Sequence, residues 1–151
     1  MIDPRKAALI IIDMQHGFLD ADSALCVAGA AATVPTCARA LSHARELGMP
    51  VIHAVRAYAA DGSDVEACRH ELWLTGGRPV SRACDEGRSL AEPEALKPQP
   101  GDRVVVKPRF SAFFGTGLDV MLRRLGVSTV VLIGTTTPNC IRTTCYDALS
   151  L

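Results

Sequence analysis

The chain has 151 residues, with sixteen Lys or Arg against sixteen Asp or Glu, so its formal net charge at pH 7 is zero with histidine neutral. That balance removes the electrostatic basis for a nucleic-acid or anionic-membrane partner, and an aromatic content of 5% leaves few platforms for stacking single strands. Hydrophobic residues at 48% and charged residues at 21% are an ordinary globular composition, and the length is that of one domain, residues 1–151, with a sizeable core.

No apolar run approaches the roughly 18 residues that span a bilayer. The opening MIDPRKAALIIIDMQ carries an Asp directly after its apolar run and lacks a small-residue cleavage site, so it reads as mature sequence. Six cysteines stand at 26, 37, 68, 84, 140 and 145 with no C-x-x-C pair. A chain this apolar needs no disulfide framework, and the thiols read as reduced and the chain as cytoplasmic.

Taken in chain order, ALIII at 8–12 is a continuous apolar, β-branched run, as expected of a strand buried on both faces of a parallel sheet. Residues 31–47 space Val34, Ala38, Leu41, Ala44 and Leu47 as one helical face, with Pro35 in the first turn and Gly48 as the stop. Cys37 reads as a small buried hydrophobe on that helix. PVIHAV at 50–55 is a second strand. The segment 57–101, rich in Gly, Pro and charge, reads as a long surface excursion with a short helix at 64–74, of the kind that forms lids and binding walls. DRVVVK at 102–107 is a third strand, GLDVMLRRL at 117–125 a helix, and STVVLIG at 128–134 a fourth strand. The alternation predicts an α/β fold, a parallel sheet flanked by helices on both faces, with right-handed crossovers.

Ligands of open α/β sheets bind beyond the carboxyl ends of the strands. Asp13 follows the first strand, Lys107 ends the third, and Cys140 follows the Thr-rich turn after the fourth. An acid, a cation and a thiol therefore converge on one sheet edge. Each also has a plain structural reading: Asp13 as a helix cap, Lys107 as a solvated strand end, Cys140 as a small buried residue. The turn itself predicts Thr137 as N-cap and Pro138 as first helical residue, with Cys140 in the first turn. There the helix dipole and Lys107 are expected to lower the thiol pKa.

Three stretches, IIIDMQHGF, VVKPRFSAF and IGTTTPNCIRTTCYDA, resemble the isochorismatase-like cysteine hydrolases, a family that includes nicotinamidases, N-carbamoylsarcosine amidases, and ureidoacrylate- and biuret-type amidohydrolases. The resemblance runs from about residue 7 to the end and includes Gly-x-x-Thr-x-x-Cys as Gly134, Thr137 and Cys140. It implies a three-layer fold, a catalytic triad of Asp13, Lys107 and Cys140, and a cis peptide at Thr135–Thr136. With that bond goes an oxyanion hole from the N–H groups of Thr136 and Cys140. It further implies homo-oligomers, and hydrolysis of a C–N bond in a small amide or ureido substrate through a thioester.

Two departures narrow the expectation. The second strand is not followed by the metal-binding Asp-Trp-His-Pro pattern of nicotinamidases; His53 lies inside the strand, and the Cys68–His70 pair reads as a surface helix. No metal or cofactor is therefore expected. The cysteine itself disfavours isochorismatase-type vinyl-ether cleavage, and the excursion is most similar to the metal-free amidohydrolases. Isochorismatase-type or nicotinamidase-type hydrolysis, and a truncated non-catalytic member or oligomerising binding module, are the alternatives. Relative to the family the chain reads as C-terminally short. Phe18, Trp73, Phe113 and Asn139 are candidate substrate contacts, and Arg69, Arg78 and Arg82 are candidate partners of a carboxylate or oxo group, or simply parts of a solvated charged loop. A thiol-redox pair of Cys140 and Cys145 is disfavoured, because helical spacing holds the two sulfurs apart.

Overall fold

The aliphatic runs form strands where their β-branched composition places them. The computed structural model describes residues 2–151. Strands β1 (Ala7–Ile12), β2 (Val51–Val55), β3 (Arg103–Val106) and β4 (Thr129–Gly134) make one parallel sheet in the order β3-β2-β1-β4. β1 sits inside the sheet, and all six of its residues are buried, as an unbroken apolar strand requires. Among the described residues the α-helices are α1 (His16–Leu19), α2 (Val34–Glu46), α3 (His70–Thr75), α4 (Leu118–Arg124) and α5 (Arg142–Ser150).

The pleat divides the core in two. Ala8, Ile10, Ile12, Ile52, Ala54 and Val105 pack with Leu118 and Leu122 of α4 and with Cys140. Leu9, Ile11 and Val51 pack on the opposite face with Cys37, Leu41 and Ala44 of α2. These are the three layers, helix on sheet on helix. Truncating the fully buried Leu41 to Ala would cost about 2–5 kcal/mol. α2 opens through a 3-10 turn at Ala31–Thr33, has Pro35 in its first turn, and ends at Gly48 with φ 67°.

The excursion builds a third, smaller cluster from Tyr58, Val65, Trp73 and Val80, against Phe18 of α1. Its helix is shorter than the 64–74 the periodicity predicts and covers only His70–Thr75. Upstream, the Asp64 carboxylate accepts from the Ala59 N–H at 2.8 Å, and Asp61 accepts from the Ser63 N–H at 3.0 Å. Such side-chain-to-backbone bonds hold turns that compete with helix.

The helix after β4 also starts differently. Thr136, not Thr137, occupies the cap position, and Thr137–Ile141 form a π-helical turn that runs into α5, with Pro138 second in that turn. The Ile141 N–H reaches back to Thr136 O at 3.1 Å, the wide bond that defines the turn.

Candidate active site

Every strand hands one residue to the same edge. Asp13 follows β1, Arg56 follows β2, Lys107 follows β3, and Thr135 follows β4. Ladder bonds continue one step past the strands and pin these backbones. Asp13 N–H donates to Ala54 O at 3.0 Å, Lys107 N–H to Val55 O at 2.9 Å, and Thr135 N–H to Ile12 O at 3.0 Å. Gly134 is needed for the last approach. Its φ is 110°, and a Cβ there would stand 2.2 Å from Ile12 O. Asp13 turns out of its strand at φ 52°, a left-handed conformation that Asp tolerates better than most residues. The Thr135–Thr136 peptide is cis.

Lys107 begins two strands away from Asp13, a separation of roughly 10 Å at ordinary strand spacing. Its long side chain closes the gap. Nζ lies 2.7 Å from Asp13 Oδ2 and 3.6 Å from Cys140 Sγ, and also donates to Arg109 O at 3.2 Å. All three side chains are buried. The second carboxylate oxygen, Asp13 Oδ1, is buried without a hydrogen-bond partner among the described residues. A buried acceptor in that state is poised to take a proton or a donor.

The thiol departs from the sequence expectation. Burial pushes the Cys140 pKa up, the Asp13 carboxylate beside it pushes further, and Lys107 opposes without prevailing, so that the value rises from 9.0 to about 11. Desolvation outweighs the cation and the helix end. At neutral pH the site therefore rests with a neutral thiol against an Asp–Lys ion pair, and a nucleophile must be made by moving the proton.

Beneath the excursion, Arg56 is almost wholly buried and pairs through Nη1 with Glu66, whose other oxygen accepts from the Tyr58 hydroxyl at 2.6 Å. Gln15 fixes the arginine's backbone from both sides, accepting its N–H at 2.7 Å and donating to its carbonyl at 2.8 Å. The guanidinium also donates to Arg109 O at 2.8 Å, and this binds the excursion to the loop after β3.

A cleft of about 400 Å³ opens over Cys140. Asp13, Thr135, Thr136, Asn139 and Cys140 form its floor, and Phe18, Leu25, Val27, Arg69, Leu72 and Phe110 its walls, with Cys26 and Cys68 beside them. Of the expected substrate contacts, Phe18 and Asn139 line it. Trp73 does not: it is fully buried in the third cluster, where its indole N–H donates to Pro79 O at 2.8 Å. Phe113 does not either. It packs on the face covered by α4 and lines a separate hollow with Leu122 and Val130. The turn after β3, held by the Phe113 N–H to Ser111 Oγ bond at 3.1 Å, leaves Phe110 in the position expected of Phe113. Of the three arginines, Arg69 reaches the cleft, while Arg78 and Arg82 are exposed away from it.

Arg56 and Phe110 are the residues that sequence reasoning passed over. The strand-end rule that found Asp13 and Lys107 finds Arg56 as well, since it directly follows VIHAV. His53 lies inside β2, as the sequence reading places it. It is buried between Glu92 at 2.7 Å and Asp102 at 3.4 Å, on the far side of the sheet plane from Cys140. Among the described residues, no group of three His, Cys, Asp or Glu is arranged to hold a metal ion, and no helix is long and apolar enough to cross a membrane.

Residues 7–151 match the family model described as "Isochorismatase domain". A probable inactive nicotinamidase of Arabidopsis thaliana is 38% identical over 97% of this chain and 74% of its own length. A maleamate amidohydrolase of Pseudomonas putida is 37% identical over 96% of this chain and 66% of its own length. The crystal structure of an isochorismatase family protein from Desulfovibrio vulgaris superposes with a TM-score of 0.87 at 46% identity, over 97% of this chain and 75% of that one. The chain thus spans 66% to 75% of the length of these three proteins.

Proposed function

The chain belongs to the isochorismatase family, and we propose that it is a cysteine hydrolase that cleaves a C–N bond in a small amide or ureido substrate. One observation carries the reading: beneath a cleft whose floor includes Asp13 and Cys140 and which admits a small molecule, the buried Lys107 Nζ stands within 2.7 Å of Asp13 and 3.6 Å of Cys140. The amidohydrolase named among the relatives supports it.

Asp13 takes the Cys140 proton on its free oxygen, and the sulfur attacks the substrate carbonyl carbon. The carbonyl π pair moves to oxygen, and the N–H groups of Thr136 and Cys140 receive the oxyanion. Asp13 returns the proton to the leaving nitrogen as the C–N bond breaks, leaving a thioester. Water, deprotonated by Asp13, then attacks the thioester, and the acid departs as the thiol is restored. Lys107 holds the Asp13 carboxylate in place through their 2.7 Å contact. A resting neutral thiol suits this sequence, because the same carboxylate that raises its pKa is the base that removes its proton.

The cytoplasm is the compartment of this reading, and the free thiols of Cys26, Cys37, Cys68, Cys140 and Cys145 support it. Assembly with further copies is supported by the exposed Tyr146, Leu149 and Leu151 in and after α5. A non-catalytic member is the second reading, and the relative named as probably inactive favours it. A panel of primary amides and ureides scored for ammonia release decides between the two: release by the purified chain supports the hydrolase, and none from any member overturns it.

A further inference from the structure

The ladder between β2 and β3 continues to the bond from the Lys107 N–H to Val55 O at 2.9 Å. Pro108 comes next and has no N–H with which to extend it. Arg56, the residue after Val55, takes over with its side chain. The buried guanidinium donates through Nη1 to Pro108 O at 3.3 Å and through Nη2 to Arg109 O at 2.8 Å. The Lys107 ammonium has three N–H donors, and the described residues give it three acceptors: Asp13 Oδ2 at 2.7 Å, Cys140 Sγ at 3.6 Å and Arg109 O at 3.2 Å. The Arg109 carbonyl thus accepts from Arg56 and Lys107 together, which occupies both of its lone pairs.

We propose that Arg56 is a positioning residue for the reaction: it fixes the Arg109 carbonyl, and that carbonyl aims the Lys107 ammonium at Asp13 and Cys140. This rests on the hydrolase reading above. A lysine side chain is a flexible stem with a point charge at its tip, so its contacts decide where it points. Two of the three contacts here change during turnover. Asp13 loses its charge while it holds the proton, and the Cys140 sulfur passes from thiol to thiolate to thioester. The Arg109 carbonyl is the contact that stays the same through the cycle, and it keeps the ammonium in place while the other two change. Holding that carbonyl calls for a planar fork, because Arg56 engages Glu66 through Nη1 and Arg109 O through Nη2 at once. Gln15 fixes the arginine's backbone beneath that fork.

The test is Arg56→Lys in the full chain, which keeps the charge opposite Glu66 and loses the fork. On the best amide of the panel its kcat should fall about tenfold or more with KM within a few-fold, as misplacement of a reacting group produces. Glu66→Gln, which loosens the excursion but leaves the Arg109 contact, should keep kcat within a few-fold, and so should Arg82→Lys on the surface. The double change Arg56→Gln, Glu66→Gln carries the same test in a chain with no unpaired buried ion, read against Glu66→Gln alone. A second readout needs no substrate: the rate at which iodoacetamide alkylates Cys140 near pH 9.0, followed by peptide mass spectrometry. Lys107 lowers the thiol pKa, so a displaced ammonium should slow alkylation in Arg56→Lys about threefold or more. Mere loosening of the fold would wet the thiol and speed it. A kcat in Arg56→Lys within a few-fold of the unaltered chain, an equal loss of kcat in Glu66→Gln, or alkylation that is unchanged or faster overturns the proposal. Absence of turnover across the panel would sink the hydrolase reading, and alkylation would still decide whether Arg56 aims Lys107.

Discussion

The two sides of the cleft are built on different principles. The floor and the cation beneath it come from strand ends: Asp13, Thr135 and the buried Lys107 are each held by a ladder bond that continues the sheet. The outer wall comes from the excursion between β2 and β3, whose order depends on a few buried anchors, Trp73, Arg56, Glu66 and Tyr58. The floor should therefore carry chemistry and the wall selectivity and local stability, and substitutions should separate the two.

The largest effect is expected at the floor. Asp13→Asn removes the proposed base and should lower kcat about 10²- to 10⁴-fold, measured on the best amide of the panel. Lys107→Met should damage stability as well, by about 3–5 kcal/mol in chemical denaturation, because it leaves the Asp13 carboxylate buried and unpaired. An unchanged denaturation midpoint would show that the pair does not hold the floor. In the wall, Trp73→Phe should cost about 1–3 kcal/mol through a lost hydrogen bond and a partly emptied site, with kcat within a few-fold. A collapse of kcat in that variant would move Trp73 back to the role that its sequence position suggested.

Two pH effects are smaller and opposite in sign. Burial alone would raise the Glu66 pKa, but the Tyr58 hydroxyl and Arg56 hold it below its ordinary 4.5. A lowered folded-state value contributes stability above the unfolded pKa and loses it as pH falls through the folded one. Glu66→Gln should therefore flatten the loss of stability below about pH 4.5, read as the slope of the melting midpoint against pH. Cys140 runs the other way. Its neutral thiol stabilises the fold below the ordinary 9.0, and this contribution fades as pH rises through about 11. The thiolate absorbance of the chain minus that of Cys140→Ala should rise near pH 11, and a rise near pH 7 would contradict the neutral resting thiol.

How much of this is legible in the sequence follows the same division. Strands buried on both faces announce themselves as unbroken apolar runs, so all four are found within a residue or two, and the strand-end rule then delivers Asp13, Lys107 and Cys140. The wall resists that logic. Trp73 looks like a pocket aromatic because it sits alone in a polar loop, yet the loop folds its own small core around it. Phe110 and Phe113 are three residues apart, and only the turn after β3 decides which of them meets the cleft. The thiol's protonation state is not legible for a related reason: a nearby cation is visible in pattern, but the degree of desolvation is a property of the packed site.

The central claim is that the Cys140 sulfur is the attacking atom, and the most direct measurement is ammonia release by Cys140→Ala beside the unaltered chain. The account predicts release at the uncatalysed background, with circular dichroism and melting midpoint close to those of the unaltered chain. Retained turnover in a folded Cys140→Ala chain would contradict it.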